Sequence, residues 1–340
     1  MASRAARHEV RERYLSFLKS IQDVALRPEI PREGGALEHA LASEAAMARH
    51  FDALWEYMRF ARTMLPGAVV LDAGCGAGEL SLLLGMSGAQ RVVALDFQSD
   101  CADFARWLTC DLAHLENVEV RCGDVGSLQM EEGELDAIFS IEAISHYRDP
   151  EAFLDMATSA LRPGGLLFIR DGNNGASASV RAMNQEIWDF FEEHDEPGEI
   201  HGHAKGPTCY RSMRHCMIRE AFPELSRPRV ERYAAWTFGM SYGEIERAVP
   251  MFESGDTSMR SERADGLCPK DPLTDCAMER LFDPRALARE LAHRGFQCRV
   301  ISNGPARRDL ALARTAWEFL SPLTILTPRS FSLVCRRDDC

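Results

Sequence analysis

Eleven consecutive residues constrain this chain more than any others: Val69-Val70-Leu71-Asp72-Ala73-Gly74-Cys75-Gly76-Ala77-Gly78-Glu79. An apolar run too short for a helix ends in an acid and breaks into three alternate glycines, and a helical pattern follows. Glycine admits positive φ and lets a ligand come close to the backbone, so such a turn joins a strand to a helix beside a binding site. From Pro66 to Asp171 short apolar runs keep alternating with helical stretches. Strands are expected at Ala68 to Asp72, Arg91 to Asp96, Val118 to Cys122, Asp136 to Ile141 and Gly165 to Arg170. Strands that alternate with helices make βαβ units and a parallel sheet.

The rest of the chain divides around this core. Residues 1–65 form a helical lead-in, with apolar positions at helical spacing in Tyr14, Phe17, Leu18 and Ile21 and again in Met47, Phe51, Leu54, Trp55 and Met58. Pro28 and the stretch from Pro31 to Gly35 interrupt it. Residues 66–171 are the core, and residues 172–281 lose the alternation and read as a largely helical inserted cap that includes Val180 to Glu193. Residues 282–340 return to it: helix Arg285 to Arg294, strand Phe296 to Ser302, helix Arg308 to Leu320 and strand Ser330 to Arg336. With 340 residues, 46% of them hydrophobic, the chain has ample material for such a core.

Charge narrows the partners. Against 39 Lys and Arg stand 52 Asp and Glu, a net charge of −13. An acidic surface does not attract phosphate backbones or anionic lipid, so neither nucleic acid nor membrane is the expected partner. The first residues lack the apolar stretch of a secretory signal, and no run approaches the length of a membrane helix. The 11 cysteines contain no Cys-x-x-Cys pair; they are expected to be reduced thiols of a cytoplasmic protein.

The glycine turn lacks the Gly-Lys-Ser/Thr ending of a phosphate loop, and its Gly-x-Gly-x-Gly spacing is not the Gly-x-Gly-x-x-Gly of dinucleotide folds. It resembles motif I of the class I S-adenosylmethionine-dependent methyltransferases. Four further segments resemble that family in order. Val92-Val93-Ala94-Leu95-Asp96 ends the second strand in an acid. Gly123-Asp124-Val125 follows the third. Leu135 to Glu142 matches the fourth, and Leu161-Arg162-Pro163-Gly164-Gly165 the turn before the fifth. The resemblance implies an α/β, Rossmann-like seven-stranded sheet with flanking helices, and S-adenosylmethionine as cofactor with S-adenosylhomocysteine as product. Carried over residue by residue, it places the cofactor on Asp72, Gly74, Cys75, Gly76 and Gly78, then on Asp96 and Phe97, Gly123, Asp124 and Val125, and Ile141 and Glu142. Asp96 would accept from both ribose hydroxyls, a task suited to a carboxylate. Cys75 is a small residue packed in the turn rather than a nucleophile.

Methyl transfer is an in-line displacement, and a base is needed only where the acceptor must lose a proton. The loop after the fourth strand would face the methyl group, and it carries Ser145, His146 and Tyr147. His146 is the candidate base, the alternative being a structural histidine or one that orients substrate, with Tyr147 and Ser145 behind it. In the cap, Arg211 and Arg214 lie in a basic stretch that would hold a carboxylate or phosphate of the substrate, the alternative being a solvated face. The His and Cys residues of the cap match no ligand spacing, so no metal is expected. After the fourth strand the chain reads Ile141-Glu142-Ala143-Ile144-Ser145-His146-Tyr147, without the Pro-Pro motif of enzymes that methylate base amino groups. A small-molecule oxygen or nitrogen acceptor of a biosynthetic pathway is the expected substrate. A catalytically silent binder of the same cofactor stays open, and a nicotinamide-dependent oxidoreductase fits less well because of the glycine spacing and Asp72. Substrate identity and oligomeric state are not legible.

Overall fold

A computed structural model of the chain describes residues 2–22, 30–31, 35–303, 325–326 and 329–338. Its main sheet has seven strands: β1 (Val69–Ala73), β2 (Arg91–Asp96), β3 (Val118–Cys122), β4 (Leu135–Ile141), β5 (Leu161–Asp171), β8 (Phe296–Asn303) and β9 (Ser330–Arg337), in the order β3-β2-β1-β4-β5-β9-β8. A two-stranded ribbon, β6 (Gly198–Ile200) and β7 (His203–Lys205), stands apart from it. The first five strands pair in parallel, while β9 runs antiparallel to β5 and β8. The strand order reverses between β1 and β4, and the crevice beyond the carboxyl ends of the strands at such a point is where open α/β sheets take ligands.

Side chains alternate across a strand, so each strand feeds two cores. On one face Val70, Val92, Ala137, Phe139 and Phe168 pack with Tyr14 and Leu18 of α1 (Ala2–Ile21) and Met47 and Phe51 of α3 (Glu44–Tyr57). On the other, Leu71, Val93, Ile138 and Leu167 pack with Phe153 and Leu154 of α6 (Pro150–Ala160) and Leu287 and Leu291 of α11 (Pro284–His293). Burial on both faces is why these strands read as nearly continuous apolar runs. The helices begin where local chemistry allows: Asp149 accepts from the Ala152 N–H with Pro150 in the first turn of α6, and Asp283 accepts from the Arg285 N–H with Pro284 opening α11. Between β1 and β2 lies α4 (Glu79–Met86) and between β2 and β3 α5 (Ser99–Arg106).

Residues 172–281 hold a short α2-independent helical cluster: α7 (Ala178–Glu193), α8 (Tyr210–Ala221), α9 (Arg227–Trp236) and α10 (Tyr242–Glu253), where α2 is the earlier Gly35–Ala40 turn of helix. Ile218, Val230, Ile245, Val249 and Phe252 give α8, α9 and α10 a core of their own. Residues 254–283 then return to the sheet without a helix, and backbone hydrogen bonds stitch their end to it: Arg280 N–H to Ser145 O at 3.0 Å, Phe282 N–H to Asn173 O at 3.0 Å and Gly175 N–H to Phe282 O at 2.7 Å.

Two expectations change. The fifth strand starts at Leu161, not Gly165: Leu161 already pairs with Leu135, and the register then shifts before Leu166 pairs with Ala137. Gly164, at φ 72°, supplies the left-handed residue in that shift. The cysteines are not all reduced thiols. Cys298 and Cys335 face each other across β8 and β9 and form a disulfide. A pairing set by strand register leaves no local spacing to read. The expected helix Arg308 to Leu320 lies outside the described residues.

Candidate functional site

The glycine turn departs from β1 in left-handed conformations, with φ 74° at Gly74, 52° at Gly76 and 82° at Gly78. The N–H groups of Gly74 and Cys75 both donate to Leu95 O, at 2.8 and 2.9 Å, which folds the turn onto the end of β2. A Cβ at Gly74 would lie 2.5 Å from the Ala143 Cβ, and one at Gly78 2.8 Å from the Ala105 Cβ. Glycine is therefore required there by conformation and by space. Cys75 is buried, and burial, with Asp72 and Asp96 adding to it, pushes its thiol well up, which removes the thiolate a nucleophile needs.

Asp96 closes this corner. Its Oδ2 accepts from the Gly76 N–H at 2.9 Å and its Oδ1 from the Gln98 N–H at 3.0 Å, so one carboxylate ties the glycine turn to the residues after β2. Asp96 also lines a narrow cleft together with Gly74, Leu95, Phe97, Gly123, Asp124, Val125, His146, Tyr147, Arg148 and Cys276. At Gly123 a Cβ would meet nothing within 4 Å. Asp124 Oδ1 accepts from the Gly126 N–H at 2.8 Å, and its Oδ2 lies 3.9 Å from Arg148 Nε, which itself donates to Thr274 O at 2.8 Å. The cap thus reaches the cleft through Cys276 and the 274 carbonyl.

The remaining motif residues surround the cleft without lining it. Asp72 is buried beneath the turn and its Oδ2 accepts from Ser81 Oγ at 2.6 Å, bracing α4; burial, and secondarily Asp96, pushes its carboxyl up to about 7. Burial likewise lifts Glu79 to about 7. Glu142 sits at φ 51°, and its exposed carboxylate accepts from Arg170 Nε at 3.2 Å, toward Tyr57 of the lead-in. Ile141, the last residue of β4, pairs in register with Arg170.

Two expectations need correction. Tyr147 is buried; its hydroxyl donates to Ala73 O at 2.9 Å and lies 3.0 Å from Ser140 Oγ, and burial drives its pKa far up. It braces β1 against β4 and is not a base. Arg214 is fully buried: its two terminal nitrogens fork onto Glu192, and its Nε donates to Ala234 O at 3.1 Å. The guanidinium is consumed inside the cap and has no face for a substrate. Arg211 lines a separate hollow of about 440 Å³ with Asp195 and His215, away from the glycine turn.

His146 does face the cleft, and its surroundings were invisible in the sequence. Its Nδ1 is 3.2 Å from Ala277 O; a carbonyl only accepts, so Nδ1 carries the hydrogen and Nε2 is the basic atom. Nε2 lies 3.6 Å from Glu279 Oε1, and His203 Nδ1 lies 3.5 Å from the same oxygen. Below them Asp171 accepts from the Ser145 N–H at 3.2 Å and the Asn173 N–H at 2.8 Å, and burial, followed by the nearby Glu142, pushes it up to about 7. Glu279 and His203 come from the cap, far along the chain from His146, so no local spacing could have announced them. Among the described residues no group of three or more His, Cys, Asp and Glu is arranged to hold a metal, and no helix is long and apolar enough to cross a membrane.

Comparison with known proteins adds the following. Residues 70–165 match a family described as a methyltransferase domain. A ubiquinone biosynthesis O-methyltransferase of Xanthomonas campestris pv. campestris (strain B100) is 39% identical over 127 residues, 36% of this chain and 51% of that protein. Its counterpart in Xanthomonas oryzae pv. oryzae (strain PXO99A) is 37% identical over the same shares. The chain spans about half the length of these curated relatives. Among solved structures, an S-adenosylmethionine dependent methyltransferase from Mesorhizobium loti aligns over 83% of this chain and 98% of its own, at 16% identity and a TM-score of 0.42.

Proposed function

We infer that this chain, whose residues 70–165 form a methyltransferase domain of the class I S-adenosylmethionine-dependent family, methylates a small-molecule acceptor at oxygen or nitrogen. The observation that carries this reading is the shared corner of Asp96 and the glycine turn, opening on a cleft whose far wall is His146. The names of the relatives, O-methyltransferases of ubiquinone biosynthesis, favour oxygen.

The residues present fit the cofactor. Asp96 brings a carboxylate, suited to a vicinal diol, to the cleft; Gly74 and Gly123 keep side chains out of it; and Val125 offers a backbone N–H beside Asp124 for a purine edge. Bound there, S-adenosylmethionine supplies an electrophilic methyl group on a sulfonium. The chain's own contribution is alignment and proton removal. The left-handed turn and the Asp96 bonds fix the cofactor wall, while Tyr147 locks β1 to β4 and so fixes the loop that carries His146. His146 Nε2 receives the acceptor's proton, and its Nδ1–H bond to Ala277 O keeps the ring in the tautomer that can do so. From the cap side Cys276 lines the cleft, and Thr274 O accepts from Arg148 Nε at its edge.

Titration calorimetry with S-adenosylhomocysteine and with NADH tests the reading, with binding expected for the first alone; binding of NADH alone would overturn it. Methyl release assayed over a panel of hydroxylated and amino acceptors then tests turnover, and no turnover with any of them would leave a binder without chemistry. With the acceptor found, His146→Ala is expected to lower turnover by about 10² with S-adenosylhomocysteine affinity unchanged. Equal turnover in the variant would remove His146 as the base.

A further inference from the structure

The residues around Glu279 are held more firmly than an irregular segment requires. Glu279 has φ 59°, a left-handed conformation that a non-glycine residue rarely adopts and that persists where the surroundings enforce it. Those surroundings are specific. Trp188 Nε1 donates to Met278 O at 2.6 Å, Asn184 Nδ2 donates to Glu279 O at 2.9 Å and to Asn173 Oδ1 at 2.8 Å, and Asn173 Nδ2 donates to Glu279 Oε2. On the other side Arg280 N–H donates to Ser145 O at 3.0 Å and Arg280 Nη1 to Tyr147 O at 3.0 Å. One carboxylate oxygen is anchored by an amide, and the other, Oε1, stands between two imidazoles at 3.6 and 3.5 Å. One imidazole lines the cleft; the other belongs to the β6–β7 ribbon of the cap.

We propose that Glu279 is a positioning residue for proton removal, presenting Oε1 to His146 and His203 together so that the proton taken from the acceptor is held at His146 and passed toward the cap. This rests on the methyltransferase reading above. As the O–C or N–C bond forms and the C–S bond breaks, the acceptor's proton moves to His146 Nε2. The imidazolium so formed has Nε2 3.6 Å from Glu279 Oε1. The pair of opposite charges stabilises that product, and His203 Nδ1 on the same oxygen offers the next site. Other charged or titratable groups facing this cluster are Asp171 beneath it, with Glu142 beyond, and Arg280 and Cys268 beside Glu279.

The test is histidine side-chain NMR titration of the full chain with S-adenosylhomocysteine bound, for the wild type and for Glu279→Gln, Glu279→Asp and His203→Gln. Removing the negative charge from Oε1 destabilises the imidazolium. Glu279→Gln is therefore expected to lower the titration midpoint of His146 by about one pH unit, a tenfold loss of proton affinity, and to lower that of His203 as well. Glu279→Asp, which keeps the charge, restores most of the shift. His203→Gln removes the competitor for Oε1 and moves the His146 midpoint upward. With an acceptor in hand, the acid limb of the turnover profile in Glu279→Gln moves to lower pH by the same amount. A purely structural Glu279 would move none of these, and a His146 midpoint unchanged in Glu279→Gln overturns the proposal. Failure of the wild type to bind S-adenosylhomocysteine instead overturns the methyltransferase reading, and the same titrations in the ligand-free chain still decide the coupling of the two rings.

Discussion

Asp96→Ala is expected to weaken S-adenosylhomocysteine binding by about 10²–10⁴. Two ribose hydroxyls donating to a charged acceptor contribute about 1.5–3 kcal/mol each, or about 3–6 kcal/mol together, and every 1.4 kcal/mol is tenfold in affinity. The substitution also strands the Gly76 and Gln98 amides that Asp96 now accepts from, so the glycine turn loses its tie to the end of β2 and some thermal stability falls with it. Asp96→Asn separates the two effects, because its carbonyl oxygen can still take one amide while the charge is gone; it is expected to fall between the wild type and alanine. Calorimetry on folded variants measures this. A dissociation constant for Asp96→Ala within threefold of the wild type would mean that Asp96 holds the turn and nothing else.

Arg214→Ala is expected to lose about 3–5 kcal/mol of stability in denaturant unfolding, because it leaves the Glu192 carboxyl buried without its partner. Removing both charges at once, in Arg214→Met with Glu192→Leu, is expected to recover most of that loss, since two apolar side chains fill the space without an orphaned charge. Neither variant should change S-adenosylhomocysteine affinity, because the pair lies within the cap between α7 and α8. A loss below about 1 kcal/mol for the single variant would mean that water reaches Glu192 in solution.

What the sequence made legible follows from how locally each feature is determined. Strands β1, β2, β4 and the second half of β5 were readable because both of their faces are buried, and the turn after β1 because positive φ demands glycine at Gly74 and Gly78. The register shift that starts β5 at Leu161 was not, since it depends on where Leu135 ends up opposite it. Arg214 looked like a substrate-binding residue because its own neighbours are basic; Glu192, which neutralises it, comes from another helix. Tyr147 looked available beside His146, yet a hydroxyl one residue along a tight turn points the other way, to Ala73 O. Glu279 and His203, like the Cys298–Cys335 pair, exist as partners only after the chain has folded.

Three buried acids around the glycine turn and the end of β5 have a thermodynamic consequence. Asp72, Glu79 and Asp171 are lifted from ordinary values of 3.8, 4.5 and 3.8 to about 7. Between those limits the folded chain keeps protons that the unfolded chain has released. Their contribution to stability is therefore fully present below about pH 4 and is lost as the pH rises through about 7. A positively charged ligand reverses part of this inventory: seated near Asp72 and Glu79, a cation favours their ionised forms and expels protons into the buffer, whereas a neutral thioether in the same place does not. Affinity for S-adenosylmethionine should then climb relative to that for S-adenosylhomocysteine as the pH rises from 6 to 8. Binding heats measured in two buffers of different ionisation enthalpy would count the protons released. A rise in that ratio would trace a preference for the charged cofactor over the spent one to carboxylates the protein hides, in the same pH range in which they weaken its fold.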